Sequence, residues 1–228
     1  HTEAALAVKH PAALVELPGA AHLPWDKFEH VCTTYEQLRY ATGVVALGLA
    51  SAHAVDPADA AVSFRADGCP ADEPMSHRHA MYALRRRIYA LVLRALRDDA
   101  EAMRQALASD DALFHEELYT YMIAHGKTSE LLSTPTPFLE DFLQGTPVLL
   151  DGQSLETYER RLRDLLWQWY VRQGEYLAAA QTLDALAHTD TYALHLYERI
   201  EYLALAVGNA KSVRQTAAYD LVGFATQL

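Results

Sequence analysis

Glycine and proline punctuate this 228-residue chain in clusters, and the long intervals between the clusters constrain its fold most. The chain has 10 Gly and 9 Pro. One cluster is Pro18, Gly19 and Pro24; a second runs from Pro57 through Gly68 and Pro70 to Pro74; a third holds Pro135, Pro137, Gly145, Pro147 and Gly152. Between them Ala, Leu, Glu, Arg and Tyr dominate, residues that a helix accommodates at little entropic cost. Alternating β-branched runs closed by Asn-Gly or Asp-Gly are missing, so strands have no sequence support. The expected class is all-α.

The punctuation predicts one long helix from about Trp25 to His53, with Phe28, Val31, Cys32, Tyr35, Leu38 and Tyr40 on its apolar side. Residues 1–24 read as an irregular lead-in and 55–76 as a proline-bearing loop. A second long helix starts near His77 and is broken at Asp98-Asp99 before Met103 and Leu107. Asp110 is the expected cap of a third, which Gly126 ends. Short helices are expected at 129–132 and 138–143, the latter opened by Pro137 at its first position. From Ser154, a partial cap with Thr157, the residues Leu155, Tyr158, Leu162, Leu165, Leu166 and Trp169 form one stripe that ends at Gly174. A tight turn returns 175–187 as its antiparallel partner. Two last helices, about 192–207 and 212–226, are separated by Gly208-Asn209. Amphipathic helices on short links must bury their stripes against one another, giving stacked antiparallel helix pairs as in an α-solenoid or an irregular bundle; an α-solenoid-like stack over the single stretch 1–228 is the expected architecture.

Charge and chemistry narrow the function. The net charge is −11, which repels nucleic acid and anionic lipid at long range. Cys32 and Cys69 are too few for a disulfide framework, so a reducing compartment is expected. No run approaches the length of a membrane span and no signal segment opens the chain. His1 stands where a methionine would, so a piece of a longer protein is expected.

His115-Glu116-Glu117-Leu118-Tyr119 begins like a zinc-protease helix, but Tyr119 replaces the second histidine that must share its face. A solvated helix start is the plainer expectation. His77 and His79 fall on different faces, and no Cys–His spacing fits zinc. Glu116/Glu117, Asp98/Asp99 and Asp110/Asp111 are adjacent carboxylates that suit capping and solvation rather than acid–base work. Arg85-Arg86-Arg87 wraps around its helix instead of forming one stripe, which favours exposure or ion pairing with acidic helices. No catalytic, cofactor-binding or metal site is expected.

Tyrosine is over-represented, 13 against 6 Phe and 3 Trp, and its polar tip suits contact surfaces. Tyr119, Tyr121, Tyr158, Trp167, Tyr170 and Tyr197 are the candidate linings of a peptide groove. The run Trp167, Tyr170, Gly174, Tyr176, Ala179-Ala180 also resembles part of a tetratricopeptide repeat, which makes a generic helical adaptor the alternative. No copy of that run recurs about 34 residues away, as such an array requires.

Two longer stretches carry a resemblance. Asp111 to Gly126, then Glu130-Leu131-Leu132 and Ser133 to Glu140, resemble the D-E-L-F…L-Y…L-I…L-L…S-P-F-L-E signature of the large inner-ring scaffold nucleoporins, the non-FG one-fifty-five/one-seventy class. Asp164 to Tyr170, Ala179-Ala180, Leu183, Leu186-Ala187, Arg199 to Leu203 and Ala210-Lys211-Ser212 are similar to that family's D-L-L-W-x-Y-Y…A-A-x-x-L…L-A…R-x-E-Y…A-K-S run. Weaker similarity covers Tyr40 to Pro57. The resemblance implies a C-terminal helical solenoid at the nuclear pore complex in the nuclear envelope, a scaffold without catalytic activity. Its implied partners are other nucleoporins, namely inner-ring scaffold proteins and linker nucleoporins, including the one with Gly-Leu-Phe-Gly repeats. Nucleic acid is not an implied partner. The family's membrane-sensing helix lies in an N-terminal β-propeller outside this chain, so no membrane contact is implied here.

Overall fold

The computed structural model of the chain describes residues 24–70, 76–97, 99–134, 136–145 and 154–225, with side chains as far as 213. Every regular element among the described residues is a helix, as the clustered punctuation requires. Internal contacts divide the chain into two compact units, His1–Ala124 and His125–Leu228. The lead-in 1–23 lies outside the described residues.

The first unit contains α1 (Trp25–Gln37), α2 (Ala41–Val55), α3 (Ala60–Ala66), α4 (His77–Ala95), α5 (Ala100–Leu107) and α6 (Ala112–Ala124). Helix α2 is its centre, packing on α1, α4 and α5, while α4 also carries α3 and α6. Gly48 permits the close approach of α2 to α4: a β-carbon there would lie 2.3 Å from Val92 Cγ2.

The expected single helix 25–53 is two helices. Arg39 sits in the left-handed region at φ 53°, the Tyr40 amide donates to the Tyr35 carbonyl at 2.9 Å, and the Arg39 amide donates to Glu36 at 3.0 Å. This is a Schellman stop, completed by the edge contact of the Tyr35 and Tyr40 rings at 5.4 Å. Arginine stands where such a stop ordinarily has glycine, which is why the sequence does not announce it.

The stretch expected as a loop, 55–76, carries α3. The Asp56 carboxylate accepts the amides of Ala60 (2.9 Å) and Ala61 (3.0 Å), filling donors that a helix start leaves open. Phe64 is buried against Tyr82 and His79, which anchors α3 on α4.

Asp99 caps α5 through the amides of Glu101 and Ala102, so the expected break after α4 is present. Asp111, rather than Asp110, caps α6 through the Phe114 amide at 3.1 Å. Gly126 follows α6 at φ 72°.

Asp111 also belongs to a network in which the ion pairing expected of the arginine run is present, but buried rather than on the surface. Arg85 is 3% exposed. Its Nη1 donates to Asp56 and Asp59 at 3.2 Å, its Nη2 to Asp111 at 2.9 Å, and its Nε to the Tyr89 hydroxyl at 2.7 Å. Tyr89 in turn donates to Asp111. Burial alone would lower the Arg85 pKa; Tyr89 and Asp111 more than reverse that and hold the guanidinium charged. The neighbouring arginines do separate work. Arg86 pairs with Glu117, and Arg87 lies over the Trp25 ring at 3.8 Å.

His115, expected at a solvated helix start, is fully buried, with Nε2 2.8 Å from the Ser109 carbonyl. Glu116 and Glu117 leave the helix in different directions, to Arg65 and Arg86. Burial lowers the His115 pKa below its ordinary value, against the smaller opposing effects of Ser109, Asp111 and Asp110. At neutral pH both folded and unfolded states hold it uncharged. As pH falls below about 6.5 the unfolded chain takes up the proton first, so stability is lost on acidification. Urea midpoints measured between neutral and mildly acidic pH are expected to fall less steeply in His115→Gln than in the parent; equal slopes would remove His115 from the acid sensitivity.

The second unit contains α7 (Thr128–Ser133), α8 (Leu139–Gln144), α9 (Leu155–Gln173), α10 (Tyr176–His188) and α11 (Leu196–Ala225). Helix α9 packs on α7, α8 and α10, and α10 packs on α11. Pro137 lies in a turn two residues before α8, not at its first position. Ser154 precedes α9 but makes no side-chain cap. In the expected α9 stripe Tyr158, Leu162, Leu165 and Leu166 are buried, Leu155 is exposed and Trp169 is half-buried beside Tyr170. Gly174, at φ 79°, is the stop that reverses the chain into α10, with the Glu175 amide donating to Tyr170 at 2.9 Å.

The expected break at Gly208-Asn209 is absent, and α11 runs through it. Neither residue adopts a positive φ, and the Asn209 side chain donates back to the Leu205 carbonyl at 2.9 Å inside the helix. Its start is at Leu196 rather than near 192, where Glu198 accepts the His195 amide at 2.8 Å, the returning half of a capping box.

Candidate docking surface

Helix α11 is held along one side. Tyr202 and Ala206 join Leu183, Leu186, Ala187 and Tyr192 in a buried cluster, with Trp167 and Leu194 packed against it. Polar contacts fix the register of α11 on α9. Arg160 Nη2 donates to Glu198 at 2.8 Å and to the Tyr202 hydroxyl at 3.2 Å, and Tyr202 donates to Asp164 at 2.8 Å. Arg199 Nη1 donates to the Ala187 carbonyl at 2.7 Å, closing an end of α10. The His195 amide and Arg160 together lower the Glu198 pKa, keeping that carboxylate charged.

The adjoining side of α11 is apolar and open. Leu196, Ile200, Leu203 and Val207 are 71%, 52%, 37% and 54% exposed. Their spacing of four, three and four residues keeps them within about 60° of arc on a 3.6-residue helix. Tyr197, 87% exposed, flanks them. A row of four large aliphatic side chains is more than the scattered exposure that any surface shows.

A concavity of about 440 Å³ lies elsewhere in the same unit, lined among others by Gln144, Arg163, Tyr170, Thr182 and Tyr192. Arg163 donates to the Leu143 carbonyl at 2.7 Å. Tyr170 accepts from Gln144 and donates to Glu140, both at 2.7 Å. Burial and the Glu140 bond push its pKa up to about 12, so the phenol stays protonated.

The six aromatic candidates separate in this frame. Tyr119 is fully buried against His115, ring centroids 5.2 Å apart, and Tyr158 is buried in the second unit; packing uses both rings. Tyr121 is half-buried in the first unit. Trp167 is half-buried on the α10–α11 cluster, Tyr170 lines the concavity, and Tyr197 borders the aliphatic row. The aliphatic row itself escaped the tyrosine-based reading. Its signal was a helix with two apolar stripes, one at 202 and 206 that packs into the core and one at 196, 200, 203 and 207 that does not.

Among the described residues no group of His, Cys, Asp or Glu could hold a metal ion, and no helix is long and apolar enough to cross a membrane.

Residues 18–228 match the family described as non-repetitive/WGA-negative nucleoporin C-terminal. A probable nucleoporin of Schizosaccharomyces pombe is 29% identical over 186 residues, which is 76% of this chain and 13% of that protein. The Drosophila melanogaster nuclear pore complex protein Nup154 is 27% identical over 210 residues, 78% of this chain and 15% of the relative. The chain therefore spans a small part of the length of these relatives. A crystal structure of the Chaetomium thermophilum Nup170 CTD–Nup145N complex superposes with a TM-score of 0.75 at 25% identity, covering 90% of this chain and 41% of the matched one. This bears out the all-α, solenoid-class fold. The run from Trp167 to Ala180 that suggested a tetratricopeptide adaptor is the α9–α10 hairpin of the same fold. With residues 18–228 matched by the family and the helical architecture shared, the chain belongs to the C-terminal helical part of the non-repetitive/WGA-negative nucleoporins, components of the nuclear pore complex.

Proposed function

We propose that this chain is a non-catalytic scaffold segment of the inner ring of the nuclear pore, and that its helical stack receives short linear segments of linker nucleoporins. The observation that carries the reading is the open row Leu196, Ile200, Leu203 and Val207. A disordered segment gains a folded state by laying its own apolar side chains along such a row. The Nup170 CTD, whose fold this chain shares, was crystallised in complex with Nup145N, which supports a nucleoporin as the occupant. Each contact of this kind is moderate, and many linked contacts raise the effective concentration of the next, which suits assembly of a ring that supports transport. The charge of −11 argues against nucleic acid as a direct ligand.

A pull-down with the Nup145N-type linker of the same organism tests the reading. The parent chain is expected to retain the linker, and Ile200→Glu with Leu203→Glu to lose it while circular dichroism is unchanged. Both positions are substantially exposed, so the fold tolerates the change. Retention of the linker by the folded double variant would remove α11 as the docking surface.

A further inference from the structure

We infer that a cleft in the first unit, where the ends of α1 and α4 meet the starts of α2 and α5, binds the phosphorylated side chain of a protein partner through Arg39, Arg94 and Arg97. The cleft is about 630 Å³ and is lined by those arginines with Glu36, Ala41 and Asp99.

Among the described residues, the other arginines of this acidic chain are engaged. Arg65, Arg78, Arg85, Arg86, Arg104, Arg160, Arg163 and Arg199 all lie within ion-pair distance of a carboxylate. Arg87 covers Trp25 and Arg172 donates to Ser129 and Ser133. Among the described residues Arg39 and Arg97 have no such partner, and both line this one cleft. The two carboxylates present are occupied: Glu36 accepts Arg94 Nε at 2.9 Å, and Asp99 accepts the first amides of α5. Arg94 has its two terminal nitrogens left for a ligand. The 15-residue α2 begins at Ala41 with no side-chain cap, so its positive end adds to the field.

Guanidinium groups pair with phosphate through parallel N–H donors, and three of them match the three terminal oxygens of a phosphomonoester. The size of the anion follows from charge. The net −11 is screened beyond about 8 Å at physiological salt, so a single phosphorylated side chain senses the arginines, whereas a long polyanion also meets the acidic remainder of the surface. Pairing the charge of one phosphoserine with these arginines would make recruitment of a partner segment depend on its phosphorylation.

The test uses the isotope-labelled 228-residue chain, with O-phosphoserine, serine and inositol hexakisphosphate as probes. O-phosphoserine is expected to shift the amide signals of Arg39, Ala41 and Arg97 saturably, and serine to leave them in place. Arg39→Gly with Arg97→Gln is expected to weaken the binding about ten-fold or more. Arg39→Gly suits the positive φ of 53°, and Arg97 is exposed, so this variant keeps the fold; Arg97→Gln alone provides the same readout. Absence of saturation by O-phosphoserine, equal binding by the variants, or binding of the polyanion to this cleft in preference to O-phosphoserine at equal charge would each overturn the inference.

Discussion

Replacing Arg85 with alanine is expected to destabilise the first unit by about 3–5 kcal/mol, the cost of breaking a buried ion network by removing one member. Asp56 is 2% exposed and would be left buried with no cation beside it, and Asp111 and Tyr89 would lose their shared donor. The damage would propagate locally, because Asp56 also starts α3 and Asp111 caps α6. Urea unfolding followed by circular dichroism measures it. An effect below about 1 kcal/mol would mean that the network is no stronger than a surface pair. Arg85→Met, which fills much of the volume without the charge, is expected to be nearly as damaging, since the carboxylates remain. A Met variant close to the parent would assign Arg85 to packing instead.

The second large effect contrasts two leucines on one helix. Leu183 is fully buried in the α10–α11 cluster, and Leu177 is 57% exposed. Leu183→Ala is expected to cost about 2–5 kcal/mol, from lost transfer energy and the cavity left behind. Leu177→Ala is expected to stay within about 0.5 kcal/mol of the parent, because the side chain leaves water only in part on folding. Denaturant midpoints of both variants in the same buffer decide it. Equal costs would mean that α10 packs on a different face from the one described.

Much of the helical order was legible in single residues. Gly126 and Gly174 mark true left-handed stops, and the stripe Tyr158, Leu162, Leu165 and Leu166 faces the core as its spacing demands. The signals that were missed were a stop made without glycine, Arg39 in a Schellman position, and a helix start held from a distance, Asp56 accepting the amide four residues downstream. Gly208 misled in the other direction, because a glycine ends a helix only when its backbone leaves the α region. The tyrosines identified surfaces poorly, since the same amphipathic ring serves a buried hydrogen bond in Tyr170 and an exposed face in Tyr197.

By itself the chain of residues determined that this protein is built from amphipathic helices, because periodicity and local punctuation act over a few turns, and it carried the resemblance to the nucleoporin family to which the chain belongs. Which arginine is buried, which stripe of α11 stays open and which cations are left without carboxylates were decided only in three dimensions. Those outcomes depend on residues 20 to 60 positions apart meeting in space, and no local pattern encodes such a meeting.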